Sequence, residues 1–298
     1  MITSLSNSRI KHLVTIREKS RSRNKEGLFI AEGIRMFGEA PQEKLREVYY
    51  SKSFLALLEQ GNQAGRLGLT DDREEADRRK GALQKLLTSR EQGVFVESVS
   101  DEVFQKITDT CTPQGILFVM EQFSYSLEEM VGQAKDRQEA GGKMPLFLIL
   151  EDIQDPGNLG TMLRTAEGAG ASGVILSRGC VDVYNPKTIR STMGSLYRVP
   201  FVYQEDLKDA VCMVRAGGVT VYAAHLAGER YFDRIRYQGG SAFLIGNEGN
   251  GLRKETADLA DQYIKIPMAG SLESLNAAVA AALLLYQAAG QDRKEEGK

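Results

Sequence analysis

Three stretches of this 298-residue chain gather polar, ionisable and backbone-flexible residues where a strand gives way to a helix. The first runs from Glu151 to Thr165 and holds Asp155-Pro156-Gly157-Asn158 and then Arg164. The second is Gly246-Asn247-Glu248-Gly249-Asn250-Gly251. The third is Ile266-Pro267-Met268-Ala269-Gly270-Ser271-Leu272-Glu273-Ser274-Leu275-Asn276, ahead of an Ala-rich helix. A plain strand-to-helix connection needs one capping residue and at most a glycine. The third stretch has far more, and that surplus points to ligand contact.

The residue types say what each stretch could do. Asp155 is a good N-cap and Pro156 a good first helical residue, so a helix should start directly at the strand end. At about 100° per residue, Arg164 lies roughly 140° from Leu159, off the apolar stripe of Leu159, Met162, Leu163 and Ala166. Asn158 falls in the first turn, at the C-terminal sheet edge where α/β folds bind ligands. The glycines of the second stretch let backbone approach a flat ligand closely. Their spacing is not GxGxxG, and Glu248 would repel a pyrophosphate, so a ligand without phosphate suits the loop. Each stretch also has a plain structural reading: Arg164 hydrates a surface helix, the glycine loop is a tight turn, and Ser271 or Ser274 caps the last helix. What favours a site is that all three fall at strand ends of one domain.

The elements that must position these residues alternate between strand and helix. Leu146–Leu150, 173–176, 219–223, 242–245 and 263–266 are short and apolar and are separated by helical stretches, which predicts a parallel sheet covered by helices. Ahead of them, short β-like runs at 27–30, 48–50, 93–96 and 115–119 predict a small α/β domain. We expect domains at 1–122 and 144–290, a connecting helix and linker at 123–143, a surface helix with a mobile loop within 60–92, and a disordered tail at 291–298. A net charge of -2 excludes a globally basic nucleic-acid binder. The basic residues cluster at the N-terminus: Arg9, Lys11, Arg17, Lys19, Arg21, Arg23 and Lys25 stand against Glu18 alone through residue 25, as RNA contacts, a solvated helix face or a frayed arm. Cys111, Cys180 and Cys212 are scattered, with only His12 and His225 beside them, so neither a zinc cage nor a disulfide framework is expected. No metal, no membrane segment and a reducing cytoplasm are the expectations.

Asn158-x5-Arg164-Thr165, Gly246-Asn247-Glu248-Gly249-x-Gly251 and Ile266-Pro267-Met268-x-Gly270-x3-Ser274-Leu275-Asn276 resemble, in order and spacing, the three motifs of the SpoU (TrmH-type) RNA 2'-O-ribose methyltransferases of the SPOUT superfamily. Asn185 to Ser195 resembles the segment between that family's first and second motifs. Ser6-Asn7-x2-Ile10-Lys11, Phe29-x2-Glu32-Gly33 and Thr112-Pro113-Gln114-Gly115 are similar to its N-terminal substrate-binding domain, of ribosomal-protein-L30e-like fold. The resemblance implies an α/β SPOUT domain with helices on both faces of a parallel sheet and a C-terminal trefoil knot. It also implies S-adenosylmethionine as cofactor, a homodimer, and RNA, most readily large-subunit rRNA, as substrate. On it, Gly246, Asn247, Ile266, Met268 and Leu275 are cofactor contacts, and Asn158, Arg164, Glu248, Ser274 and Asn276 are catalytic-site residues. RNA contacts are expected at Arg9, Lys11, Lys187, Arg190 and Arg198. The small residues of the third stretch are expected where a threaded chain crosses itself.

The family is usually described with the first-motif arginine as base. A guanidinium pKa above about 12 leaves almost none neutral at pH 7. Arg164 is therefore expected to stabilise developing alkoxide and clamp the adjacent phosphate. The competing readings are a tRNA ribose methyltransferase, a non-catalytic ribosome-assembly factor that keeps the fold, a base-methylating SPOUT enzyme, and a dinucleotide-dependent dehydrogenase. The missing N-terminal GxGxxG unit opposes the last.

Overall fold

The computed structural model describes residues 1–58, 73–272 and 274–296. They form two compact units, Met1–Phe123 with Tyr184–Tyr197, and Ser124–Val183 with the chain from Arg198 onward.

The first unit runs α1 (Ser8–Glu18), α2 (Ser20–Glu26), β1 (Leu28–Glu32), α3 (Ile34–Glu39), β2 (Leu45–Ser51), α4 (52–58), α5 (Arg73–Glu91), β3 (Phe95–Val99), α6 (Asp101–Ile107) and β4 (Ile116–Glu121). Its sheet order is β1-β4-β2-β3, with β4 antiparallel to β1 and β2 and β3 parallel to β2. Asn7 caps α1 by accepting the Arg9 N–H, and Ile10, Leu13 and Ile16 bury themselves with Tyr49, Phe104 and Val119. The N-terminus is thus a packed helix rather than an arm, because three apolar residues at helical spacing face the sheet. Two motif segments of this unit meet: Gln114 Oε1 accepts the Ile34 N–H at the start of α3, 2.8 Å away. Within 60–92, α5 buries Ala82 and Leu86; residues 59–72 lie outside the described residues.

The second unit runs α7 (Leu127–Glu139), β5 (Leu146–Leu150), α8 (Pro156–Ala169) and β6 (Gly173–Ser177). The chain then supplies α9 (Pro186–Thr192) to the first unit and continues with β7 (Phe201–Gln204), α10 (Leu207–Ala216), β8 (Thr220–Ala224), β9 (Arg230–Tyr231), β10 (Ser241–Ile245), α11 (Lys254–Ala257), β11 (Gln262–Lys265) and α12 (Ala277–Glu296). The sheet is parallel throughout, in the order β7-β6-β5-β10-β8-β11-β9. Every expected strand forms; the edge strands β7 and β9 are additional. Because β10 inserts between β5 and β8, the strand order reverses there, the point at which parallel α/β sheets bind ligands beyond their C-terminal strand ends.

Two expected boundaries are corrected. Residues 123–143 are not a free linker: Leu127, Met130, Val131 and Ala134 of α7 are buried in one core with Phe147, Ile149, Val221 and Leu244. The Leu127, Met130, Val131, Ala134 spacing is itself an apolar helical stripe. The tail from Gln291 continues α12 as far as Glu296, and residues 297 and 298 lie outside the described residues. Met130 packs so closely that a Cβ on Gly173 would sit 2.7 Å from its terminal methyl. Met130→Ala should therefore destabilise the protein by about 2–5 kcal/mol in equilibrium unfolding, whereas a true linker residue would leave the midpoint unchanged.

Candidate active site

The helix start expected after β5 is present as predicted. Asp155 accepts the Asn158 N–H at 2.8 Å, Pro156 occupies the first turn, and Leu159, Met162, Leu163 and Ala166 are fully buried. This anchoring leaves the Asn158 side chain at the rim of the sheet, where its two ends do different work. Nδ2 donates to Glu248 Oε1 at 3.0 Å, and Oδ1 accepts from Asn276 Nδ2 at 3.0 Å. One amide therefore joins all three motif stretches.

Glu248 is held by more than Asn158. Its carboxylate also accepts the backbone N–H groups of Gln154 and Asp155 at 3.1 and 3.0 Å. Partial burial pushes its pKa up, but the hydrogen bonds from Asn158, Gln154 and Asp155 outweigh that and hold it below the ordinary carboxylate value. With three donors on two oxygens, Glu248 clamps the second loop to the start of α8. Asn247 closes the same loop on itself. Its Oδ1 accepts from Gly249 and Asn250, its backbone exchanges hydrogen bonds with Gly251, and its Nδ2 donates to the Asp152 carbonyl. A Cβ on Gly246 would lie 2.1 Å from the Gly251 carbonyl carbon and 2.2 Å from the Leu252 nitrogen, so no other residue fits there.

In the third stretch the cap of α12 is Asn276, not Ser271 or Ser274: its Oδ1 accepts from Ala278 and Val279 while its Nδ2 faces Asn158. Ile266, Met268 and Leu275 are half-buried, Ser274 is exposed, and Glu273 lies outside the described residues. Among the described residues a Cβ on Gly270 meets nothing within 4 Å, whereas one on Gly228 would sit 2.6 Å from the Ile264 carbonyl carbon. The turn from His225 to Gly228, tied to β11 by the His225 N–H on the Ile264 carbonyl at 2.9 Å, thus joins the same sheet edge. Its position after an apolar strand was the only signal in the sequence, and it was missed. Asp152 was missed too. It adopts a left-handed φ of 52° and is fixed by Ser177, whose hydroxyl contacts both its carboxylate and its N–H.

Arg164 is exposed and has no hydrogen bond or ion pair among the described residues, as its position off the apolar stripe predicted. The basic residues expected on RNA fare differently. Arg9 pairs with Glu47 and lies 3.8 Å over the Phe95 ring; Arg190 pairs with Asp109 at 2.7 Å; Arg198 pairs with Glu167. Arg23 is buried and donates to the Ile16 and Arg17 carbonyls at the end of α1. These cations are engaged within their own units. Lys11 and Lys187 are exposed.

Comparison with known proteins agrees with this layout. A family model described as the SpoU rRNA Methylase family matches residues 145–286, and one described as the MRM3-like substrate binding domain matches residues 7–117. The chain is 34% identical over 225 residues to the 23S rRNA (guanosine(2553)-2'-O)-methyltransferase RlmP of Bacillus subtilis, covering 73% of this chain and 85% of that one. It is 32% identical over 218 residues to the 23S rRNA (guanosine-2'-O-)-methyltransferase RlmB of Ralstonia nicotianae, covering 73% and 86%. An AdoMet-bound rRNA methyltransferase from Sinorhizobium meliloti superposes with a TM-score of 0.76 at 29% identity over 96% of both chains.

The Asn158 bridge generates two expectations. Asn158→Asp, equal in size, sets a second carboxylate against Glu248 and should cost at least about tenfold in activity at neutral pH with little change in melting temperature; wild-type activity would disprove the bridge. Because the folded pKa of Glu248 is depressed, its clamp contributes fully above the unfolded carboxylate value and is lost as pH falls through the folded one. Acid unfolding of Glu248→Gln should accordingly lack that component of the wild-type pH dependence.

Proposed function

The chain belongs to the SpoU rRNA methylase family, and on that footing we infer that it transfers the methyl group of S-adenosylmethionine to a ribose 2'-hydroxyl of large-subunit rRNA. The C-terminal unit is a SPOUT-type domain with a trefoil knot, and the N-terminal unit is a small substrate-binding domain. The observation that carries the reading is the hydrogen-bonded union of the three motifs through Asn158 at one sheet edge.

The residues present fit this methyl donor. The N-terminus of α8 is closed by Asp155 and Pro156, and the neighbouring loop carries an ionised Glu248, which suits a cationic ligand without phosphate. Half-buried Ile266, Met268 and Leu275, with the narrow turn at Gly246 and Asn247, offer an apolar wall and a backbone edge for an adenine ring. S-adenosylmethionine supplies a methyl group on a sulfonium sulfur, open to in-line attack by a hydroxyl. The protein then has two tasks, to place the ribose and to manage the proton. Arg164, an exposed guanidinium without an internal partner among the described residues, stabilises the developing alkoxide and binds the adjacent phosphate. Asn276, which donates to Asn158, and the exposed Ser274 two residues before it face the ribose in this reading; Glu248 holds the amide of Asn158 for Asn276. For RNA contact, the exposed Lys11 stands ahead of Arg9, Arg190 and Arg198, whose charges are already paired, and Lys187 stays a candidate on its exposure alone.

We also propose a homodimer, a reading that the last helix supports. Val279, Leu283 and Tyr286, spaced at i, i+4 and i+7 on α12, are 48%, 37% and 47% exposed, an apolar stripe that a second copy would cover. The Tyr286 hydroxyl lies 2.5 Å from where a Gly168 Cβ would be, and Arg164 is one turn earlier on that face of α8. The stripe therefore borders Arg164, so a dimer would enclose the reacting site. The cysteines Cys111, Cys180 and Cys212 are unpaired, in keeping with a reducing cytoplasm.

Incubation with labelled methyl donor and bulk RNA should place label on large-subunit rRNA as 2'-O-methyl; label on tRNA alone would move the substrate, and no label on either would remove the activity. Arg164→Lys should lose about a hundredfold in turnover, and near-full activity would dismiss any specific guanidinium role. Leu283→Glu should shift the protein from dimer to monomer in light scattering and lower activity with it.

A further inference from the structure

We infer that Glu151 and Arg253 form a positioning pair that fixes the second-motif loop for the methyl donor, an inference that rests on reading that loop as a donor contact. Glu151 is the first residue after β5 and is 1% exposed, yet it carries a carboxylate. Its Oε2 accepts the Arg253 backbone N–H at 2.7 Å, and its Oε1 accepts Arg253 Nε at 2.7 Å together with the Thr256 hydroxyl. All three donors belong to the start of α11, immediately after the loop. Arg253 is the N-cap of that helix and has no side-chain cap of its own; Glu151, from the neighbouring strand, holds the helix start instead by accepting the N-cap residue's backbone N–H.

The same residue also holds the loop's other end. The Glu151 N–H donates to the Ile245 carbonyl at 2.9 Å, the last residue before Gly246. Glu151 therefore fixes the loop where it leaves β10 and where it joins α11, while Glu248 fixes its middle to Gln154, Asp155 and Asn158. A loop pinned at three points along its length has one shape.

Stability alone does not explain a carboxylate in this place. Replacing a buried ion pair with apolar side chains of similar volume is often neutral or stabilising, so a buried charge is a poor means of holding a fold together. What Glu151 adds is direction: two oxygens with fixed lone pairs receive two N–H donors and a hydroxyl, and only one placement of the α11 N-terminus satisfies all of them. Arg253 complements this from outside. Its side chain is 64% exposed, so its substitution leaves no cavity, and its guanidinium also reaches within 4.0 Å of Asp152, the left-handed residue that receives Asn247. The pair thus braces both the loop and the turn that the loop's Asn247 grips.

The test uses the full-length protein, with donor affinity measured by calorimetry on S-adenosylmethionine and KM measured separately for donor and RNA. Wild type must bind the donor; if it does not, the functional reading fails and not the pair. Glu151→Gln should raise the donor Kd and KM about tenfold with the RNA KM unchanged, and Arg253→Ala should do the same. The double variant should lose less than the two single losses combined, because both substitutions remove the shared Glu151–Arg253 contact. A fall in melting temperature with donor affinity unchanged, or equal losses for donor and RNA, would overturn the inference. Should Glu151→Gln fail to fold, the exposed Arg253→Ala decides by itself.

Discussion

The geometry of the candidate site depends on one primary amide. Asn158 must donate at one end and accept at the other, and no carboxylate or hydrocarbon of its size can do both. Its oxygen faces Asn276 and its nitrogen faces Glu248, so the amide cannot flip without breaking both bonds. Glu248 has to be ionised to receive three donors, and Asn276 has to spend its own oxygen capping α12 before its nitrogen points the right way. The site is thus a chain of mutual conditions, each met by a group whose orientation something else has set.

The sheet makes those conditions attainable. Parallel strands deliver every loop to the same edge, and the insertion of β10 between β5 and β8 brings residues 151–158 beside residues 246–252 although about ninety positions separate them in sequence. Backbones then approach so closely that side chains are excluded at Gly228 and Gly246. The two glycines and the buried Glu151 carboxylate serve one purpose, to allow loops to touch and to let them touch in only one way.

What could be read from the sequence follows from how local each determinant is. The start of α8 was legible because Asp155, Pro156 and the Leu159 to Ala166 stripe obey rules confined to a few residues. The central strands were legible as apolar runs, and the three motifs as unusual gatherings of polar residues. Pairing was not legible. Arg9 and Arg190 read as free cations because their partners, Glu47 and Asp109, lie far along the chain. Glu151 looks like any surface acid until its burial is seen, and Asn276 looks like one candidate among several for capping α12. The α7 segment carried a helical stripe, but its low apolar content and glycine-rich exit resembled a connector. In each case the missing information was the identity of a distant neighbour.

The allocation of α9 has a consequence for how such a protein could arise or be taken apart. Residues 184–197 fall between β6 and β7 in the chain yet pack as part of the first unit, where Arg190 meets Asp109 and the Tyr184 ring lies 4.7 Å from that of Phe29. The two units are therefore not beads on a string. A cut after Phe123 would sever the first from a piece of its own wall, and a foreign N-terminal module grafted at that point would inherit a helix shaped for another surface. Recombination at the evident boundary is disfavoured, so the two units are expected to travel through evolution as a pair and to change sequence in step across that helix.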